Sequence, residues 1–275
     1  MLTSGARYLV NGRPADTVSV LERGLHYGDG VFETIAIRDG QPCYWRQHQA
    51  RLMDGCARLG ISFADKNALL EDCRLLCTGV SQAVLKIIVT RGTGGLGYNP
   101  ALAQTATRIS GLLPWPDYPA HYATEGIAVC LCETRLGANP ALAGIKHLNR
   151  LEQILAGREW QNTEYAEGLM LDQQDHVVEG SRSNLFVVKE NRLYTPALVQ
   201  CGVAGIMRAA VLELASRLQL PIEVTMIDRD SLFSADEIFI TNSLIGIWPV
   251  HTVAQNHYPI GPVTRRLKKS LPPRG

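Results

Sequence analysis

The chain has 275 residues, 46% of them hydrophobic and 19% charged, with a net charge of +1. That supplies a real core for one large or two ordinary domains, and it argues against disorder, collagen-like repeats and a small disulfide scaffold. With 27 basic against 26 acidic residues, no global field draws the protein to nucleic acid or an anionic membrane, so a small-molecule ligand is expected. The first residues, MLTSGARYLVNG, lack the apolar stretch of a signal peptide, and no run reaches the length of a spanning helix. The cysteines (43, 56, 73, 77, 130, 132 and 201) form no C-x-x-C pair. Together these features point to a cytoplasmic protein in a reducing compartment.

In chain order, YLV-NG-RP contains Asn11-Gly12, a strong hairpin signal. Residues 31–38 (VFETIAIR) alternate as a strand before Asp39-Gly40. Val31, Glu33, Ile35 and Ile37 share one face, and Phe32, Thr34, Ala36 and Arg38 share the other. Helical spacing predicts one helix over 45–59 and a second from Asp65, a plausible N-cap, to Leu76. AVLKIIVTRG and TATRISGLL read as strands around a glycine-rich loop at 92–99.

PWPDYP marks the clearest composition break. The expected organisation is therefore an N-terminal domain 1–113, a Pro-rich linker 114–120 and a C-terminal domain 121–275. The second half reads as the strand GIAVCLC, a helix near 148–161 and the strands GLMLD, HVVEG, NLFVV and RLYTP. A helix after Gly205, the strands EVTMI and EIFIT, and a short helix near 262–270 complete it. Helices and strands do not alternate strictly, so an α+β fold fits better than a doubly wound parallel sheet.

Several segments carry chemistry. Lys146, in AGIKHLNRLEQ, lies in an apolar, small-residue setting that would lower its pKa and free its amine for Schiff-base chemistry; a surface lysine at a helix start remains the alternative. Glu179 ends one strand in VVEGSRSNLFVV and could pair with a cofactor ring nitrogen or simply face solvent. His48 and Arg51 in HQARL share a helix face, where an arginine could fork onto phosphate or stay solvated. GVAGIMR offers N–H groups at Ile206 and Met207 at a helix start. TNSL places Asn242 and Ser243 after a strand, as further phosphate donors. The histidines show no metal-ligand spacing, so no metal is expected. GTGGLGY is not a strand–G-x-G-x-x-G–helix arrangement, and RRLKK (265–269) reads as a solvated helix face.

Taken in this order, GDGVFET, HQARL, GIKHLNRLEQ and EGSRSNLF resemble the fold-type-IV pyridoxal-phosphate enzymes. That group holds branched-chain and D-amino-acid aminotransferases and aminodeoxychorismate lyases. RGTGGLGY and NPALAGIKHLNRLEQ look most like the lyases, which form p-aminobenzoate for folate; an aminotransferase acting on D- or branched-chain amino acids is the alternative. The resemblance implies a two-domain α+β fold with the site between the domains of a homodimer, and pyridoxal 5'-phosphate as cofactor. It implies Lys146 as the Schiff-base lysine, Glu179 as the ring-nitrogen partner and Arg51 as the phosphate arginine. It likewise implies Ile206 and Met207 as a backbone phosphate cup, with Asn242 and Ser243 as a second phosphate loop. Phe32, Thr34 and Ala36 fall where the family's strand faces substrate, and Tyr98 falls in its mobile loop. Ala36 and Phe32 depart from the aminotransferase pattern. Leu96 stands where many lyases carry an arginine, so Arg91, His147 or Arg150 is expected to receive the substrate carboxylates instead.

Overall fold

The computed structural model describes residues 7–95, 97–100, 105–161 and 163–272; Leu96 lies outside the described residues. The chain divides into two units. The first runs to Asp117 and includes Ile145–Asn149, and the second comprises Tyr118–Gly144 and Arg150–Pro272. The division falls within the Pro-rich stretch 114–120. Lys146, expected in the second domain, is grouped with the first. The reason is backbone pairing: Phe32 N–H donates to the Lys146 carbonyl at 2.9 Å and Leu148 N–H to the Gly30 carbonyl at 3.0 Å.

The first unit contains β1 (Arg7–Val10), β2 (Arg13–Pro14), α1 (Arg23–Tyr27), β3 (Gly30–Arg38) and β4 (Gln41–Pro42). It continues through α2 (Trp45–Arg58), α3 (Lys66–Cys77), β5 (Gln82–Thr90) and β6 (Thr107–Leu113). The strands form one antiparallel sheet in the order β2-β1-β6-β5-β3-β4. Asn11 and Gly12 take positive φ, 50° and 80°, as the hairpin requires. Asp65 caps α3 by accepting from Ala68 N–H at 2.9 Å. The period-2 alternation of β3 and β5 sends Val31, Ile35, Ile37, Leu85 and Ile87 into a core with Leu52 and Cys56 of α2 and Leu69 and Cys73 of α3. Phe32, Thr34 and Ala36 lie on the face away from these helices, opposite Ile88, Lys86 and Val84 respectively.

The second unit contains α4 (Tyr122–Glu125), β7 (Ile127–Leu136), α5 (Leu151–Trp160), β8 (Glu167–Asp172), β9 (Val177–Gly180), β10 (Asn184–Lys189) and β11 (Arg192–Pro196). Next come α6 (Ile206–Arg217), β12 (Ile222–Thr225), α7 (Arg229–Phe233), β13 (Glu237–Asn242), β14 (Gly246–Val253), β15 (Asn256–His257) and α8 (Pro262–Ser270). Its sheet is mixed, with β7 parallel to both β8 and β14. Strand β9 pairs with β8 and also with β10, through Glu179 opposite Asn184, so the sheet closes on itself. Alternation again sorts the core. Leu185 and Val187 join Ile238, Ile240 and Val250 in one cluster, while Phe186 and Val188 pack with Phe239, α6 and α8 in another. The Phe186 and Phe239 rings stack at 4.9 Å.

One polar group on the helix-covered face of the first sheet is as deeply buried as the apolar ones. Glu33 is 1% exposed and accepts from His48 Nδ1 at 2.6 Å, Arg51 Nε at 2.8 Å and Arg51 Nη2 at 2.5 Å. Burial pushes its carboxyl up, but the Arg51 and His48 hydrogen bonds outweigh that and bring it down to about 2 from an ordinary 4.5. Because the folded value is depressed, the stability that this group contributes is present above pH 4.5 and lost as pH falls towards 2. We expect acid unfolding of wild type to steepen across that window by about 1–3 kcal/mol relative to Glu33→Gln. Urea midpoints measured at several pH values check this; parallel pH profiles would contradict it.

Candidate active site

In the first unit, the pairing of Lys146 with β3 determines which side chains meet. Ile145 is buried in the helix-side core, so the next residue, Lys146, is directed to other surroundings. Its Nζ lies 4.3 Å from the centroid of the Phe32 ring. A second amine, Lys86 Nζ, lies 4.9 Å from the same centroid. Burial lowers the Lys86 pKa from its ordinary value. Lys86 sits opposite Thr34 on β3 and Gly111 on β6. At Gly111 any Cβ would strike the Tyr8 ring at 2.4 Å, so this row is built close. Sequence reasoning passed over Lys86. Its signal was present, as the one charged residue in AVLKIIVT, in phase with the strand face that pairs with Phe32 and Thr34.

Arg51 stands on α2 with its guanidinium forked onto Glu33, a geometry that fixes its plane. His147 bridges Val31 through the backbone. Arg91 is placed differently from the expected carboxylate receptor. Its Nε and Nη2 donate to Asp29 at 2.7 and 3.1 Å, and its Nη1 and Nη2 donate to the Gly60 and Leu59 carbonyls at 2.6 and 2.7 Å. Asp29 also accepts from Arg23 Nε at 2.9 Å. Burial raises the Asp29 carboxyl, yet the two arginines win and lower it. Arg91 therefore anchors the base of its loop. Tyr98, further along the loop, is 89% exposed, with its ring 5.7 Å from that of Tyr27.

In the second unit, Glu179 is 3% exposed, and its Oε2 accepts from Val203 N–H at 2.9 Å and from Asn184 Nδ2 at 3.4 Å. Asn184 Nδ2 also donates to the Val203 carbonyl at 2.8 Å. Asn184 thus braces the carboxylate and the loop entering α6. Two positions there admit only glycine. Gly202 has φ of +86°, and a Cβ at Gly205 would stand 1.9 Å from Asn184 Oδ1. Helix α6 starts at Ile206 with Gly205 as N-cap, whose missing side chain cannot cap the N–H groups of the first turn, Ile206 and Met207 among them.

Two guanidinium groups feel the Glu179 charge. Burial pulls Arg150 and Arg208 down from their ordinary pKa, and Glu179 opposes the shift in both. Arg208 is held by Thr195 Oγ1 at 3.3 Å and the Pro196 carbonyl at 3.0 Å. Asn242 and Ser243 were expected to form a second phosphate loop. Here Asn242 Oδ1 accepts from Leu244 and Ile245 N–H at 2.9 and 3.1 Å, and its Nδ2 donates to the Arg182 carbonyl at 3.1 Å. Its side chain closes the turn after β13, and Ser243, half-buried, sits within that turn.

Each unit by itself holds donor types that pyridoxal phosphate would use: in the first, an amine at an aromatic ring and a forked arginine; in the second, a buried carboxylate and a helix start without a side-chain cap. Among the described residues, no group of three metal-ligating side chains gathers and no helix is long and apolar enough to cross a membrane.

Residues 30–253 match the amino-transferase class IV family. The chain is 38% identical to aminodeoxychorismate lyase of Vibrio harveyi, over 96% of this chain and 99% of that one. It superposes on the crystal structure of 4-amino-4-deoxychorismate lyase from Pseudomonas aeruginosa with a TM-score of 0.92, at 45% identity, covering 96% and 97% of the two chains. Branched-chain amino acid aminotransferase from Escherichia coli is more distant, with a TM-score of 0.86 at 28% identity over 96% and 92%. The chain belongs to the amino-transferase class IV family.

Proposed function

We propose that the protein is a pyridoxal-phosphate-dependent lyase that converts 4-amino-4-deoxychorismate to p-aminobenzoate and pyruvate. The observation that carries this reading is the pair of amines at Phe32. Lys146 and Lys86 both lie within 5 Å of one ring centroid. A dicarboxylate substrate needs a cation near the reacting amine that does not itself react, and Lys86 supplies one. Higher identity to lyases than to an aminotransferase supports the same choice.

Pyridoxal phosphate, when bound, supplies an electron sink for the carbanion that proton removal creates. Lys146 Nζ would hold the cofactor through its amine. Its free amine would remove the proton from the ring carbon bearing the substrate nitrogen. The enolpyruvyl C–O bond then breaks as the ring becomes aromatic. Lys146 returns its proton to the enolpyruvyl carbon, giving pyruvate. The Glu179 carboxylate, held by Val203 N–H and Asn184, keeps a proton on the cofactor ring nitrogen. Arg51 and the first-turn N–H groups of α6 would hold the phosphate, and Lys86 would take a substrate carboxylate. Thr34, next to Lys86 across the strands, offers that carboxylate a hydroxyl donor. Arg150, His147 and Tyr98 remain candidate substrate contacts.

The finer reading includes a homodimer in the cytoplasm. Helix α5 presents Leu151, Ile154 and Leu155 at 73%, 59% and 49% exposure, an apolar stripe suited to a second copy of this chain. All seven cysteines are free, as a reducing compartment would keep them. Sedimentation should give twice the chain mass, and Leu155→Lys should shift it towards the monomer; a monomeric wild type would contradict the dimer.

With 4-amino-4-deoxychorismate and no keto acid, the enzyme should release pyruvate and p-aminobenzoate in equal, catalytic amounts. Lys86→Met should raise KM at least about tenfold with a smaller change in kcat, as loss of a charged hydrogen bond to substrate does. Absence of both products, with amino-group transfer from an amino acid to a keto acid, would overturn the lyase reading.

A further inference from the structure

We propose that Glu33 and His48 are positioning residues for cofactor binding, acting through Arg51. This rests on the reading of Arg51 as the phosphate arginine. The three side chains form one chain of contacts. His48 Nδ1 donates to Glu33 Oε2 at 2.6 Å, and the same oxygen accepts from Arg51 Nη2 at 2.5 Å while Oε1 accepts from Arg51 Nε at 2.8 Å. The side chains of His48 and Glu33 are each 1% exposed, and that of Arg51 is 13% exposed.

The geometry restricts Arg51 strongly. A free arginine explores many rotamers on a long stem, and each must be frozen before a phosphate is gripped. Here Nε and Nη2 are forked onto a carboxylate that grows from a nine-residue strand paired along its whole length with β5. Because the guanidinium is planar, that fork also fixes the direction of Nη1, which carries two further N–H donors. His48 in turn limits the carboxylate. An ionised carboxylate only accepts, so the Nδ1 nitrogen carries a proton and donates it to Glu33. Burial lowers the His48 pKa from its ordinary value, and the Glu33 bond opposes that shift. Nε2 is buried and has no hydrogen-bond partner among the described residues. A ring kept only to hold a helix would more cheaply be apolar. The bond that His48 does make is the one that stops Glu33 from rotating.

Glu33 has an opposing effect, since its negative charge reduces the pull of Arg51 on a phosphate dianion. The neutral isostere separates the two. If orientation dominates, Glu33→Gln weakens phosphate binding, because one amide N–H now confronts Arg51 Nη2. If charge dominates, Glu33→Gln strengthens it.

The test uses protein stripped of cofactor and titrated with pyridoxal phosphate and, separately, with pyridoxal, which lacks the phosphate. The readout is the visible absorbance of bound cofactor, and the quantity of interest is the preference for the phosphorylated form. A purely structural role would lower thermal stability without changing that preference. We expect Glu33→Gln to reduce the preference about tenfold or more and His48→Leu about threefold or more, with pyridoxal affinity nearly unchanged. His48→Asn, which restores a donor near the Nδ1 position, should recover most of the loss. An unchanged or increased preference in both Glu33→Gln and His48→Leu overturns the proposal. Should Glu33→Gln fail to fold, the two His48 variants decide it. Arg51→Gln separates the levels. If it leaves the preference intact, the phosphate reading of Arg51 falls; if it abolishes the preference while Glu33→Gln and His48→Leu do not, only the positioning proposal falls.

Discussion

Strand Gly30–Arg38 must serve two faces and one edge at once, and the arrangement of the first unit follows from that. Its period-2 alternation sends Val31, Ile35 and Ile37 into the helix-covered core and leaves Phe32 and Thr34 on the other face. Its edge, at Gly30 and Phe32, takes up the segment that carries Lys146. A slip of one residue would exchange the faces, burying Phe32 and Thr34 among Leu52 and Leu69 and turning Glu33 away from Arg51. The register therefore specifies the core, the arginine fork and the lysine–phenylalanine contact together.

The second unit solves a parallel problem by closing its sheet. The pair that joins β9 to β10, Glu179 opposite Asn184, also holds the carboxylate and braces the loop before α6. Buried polar groups are costly unless satisfied, and here the closing pair satisfies its own members. Glu167 nearby shows the same economy. It is fully buried, accepts from Ser181 Oγ, Ser183 Oγ and Gly168 N–H at 2.5, 3.0 and 3.0 Å, and thereby holds the turn between β9 and β10. Burial raises its carboxyl above the ordinary range.

Much of this was legible in the sequence because it is local. The alternation of VFETIAIR, the helix that stops short of Gly60, the Asp65 cap and the Asn11-Gly12 turn all depend on neighbours in the chain. Strand β14 was missed, since Pro249 in GIWPVHTV argues against an interior strand; it is tolerated one residue before an irregularity in the pairing with β7. The placement of Lys146 beside β3 has no local signature, because it arises from pairing between residues more than a hundred positions apart. Arg91 and Asn242 were read by residue type as ligand donors, whereas their hydrogen bonds are taken up by Asp29, main-chain carbonyls and a turn. Charge alone does not say where an arginine's donors go. Lys86 was overlooked for the converse reason, as one cation in an otherwise apolar strand.

Two amines, Lys146 and Lys86, stand at the one Phe32 ring. In the proposed function, Lys146 bonds the cofactor and Lys86 only attracts charge. The direct measurement is to load the protein with pyridoxal phosphate, reduce it with borohydride, digest it and locate the modified lysine by mass spectrometry. The account predicts the adduct on the peptide containing Lys146 alone, at one per chain. Modification at Lys86, or spread over several lysines, would contradict it.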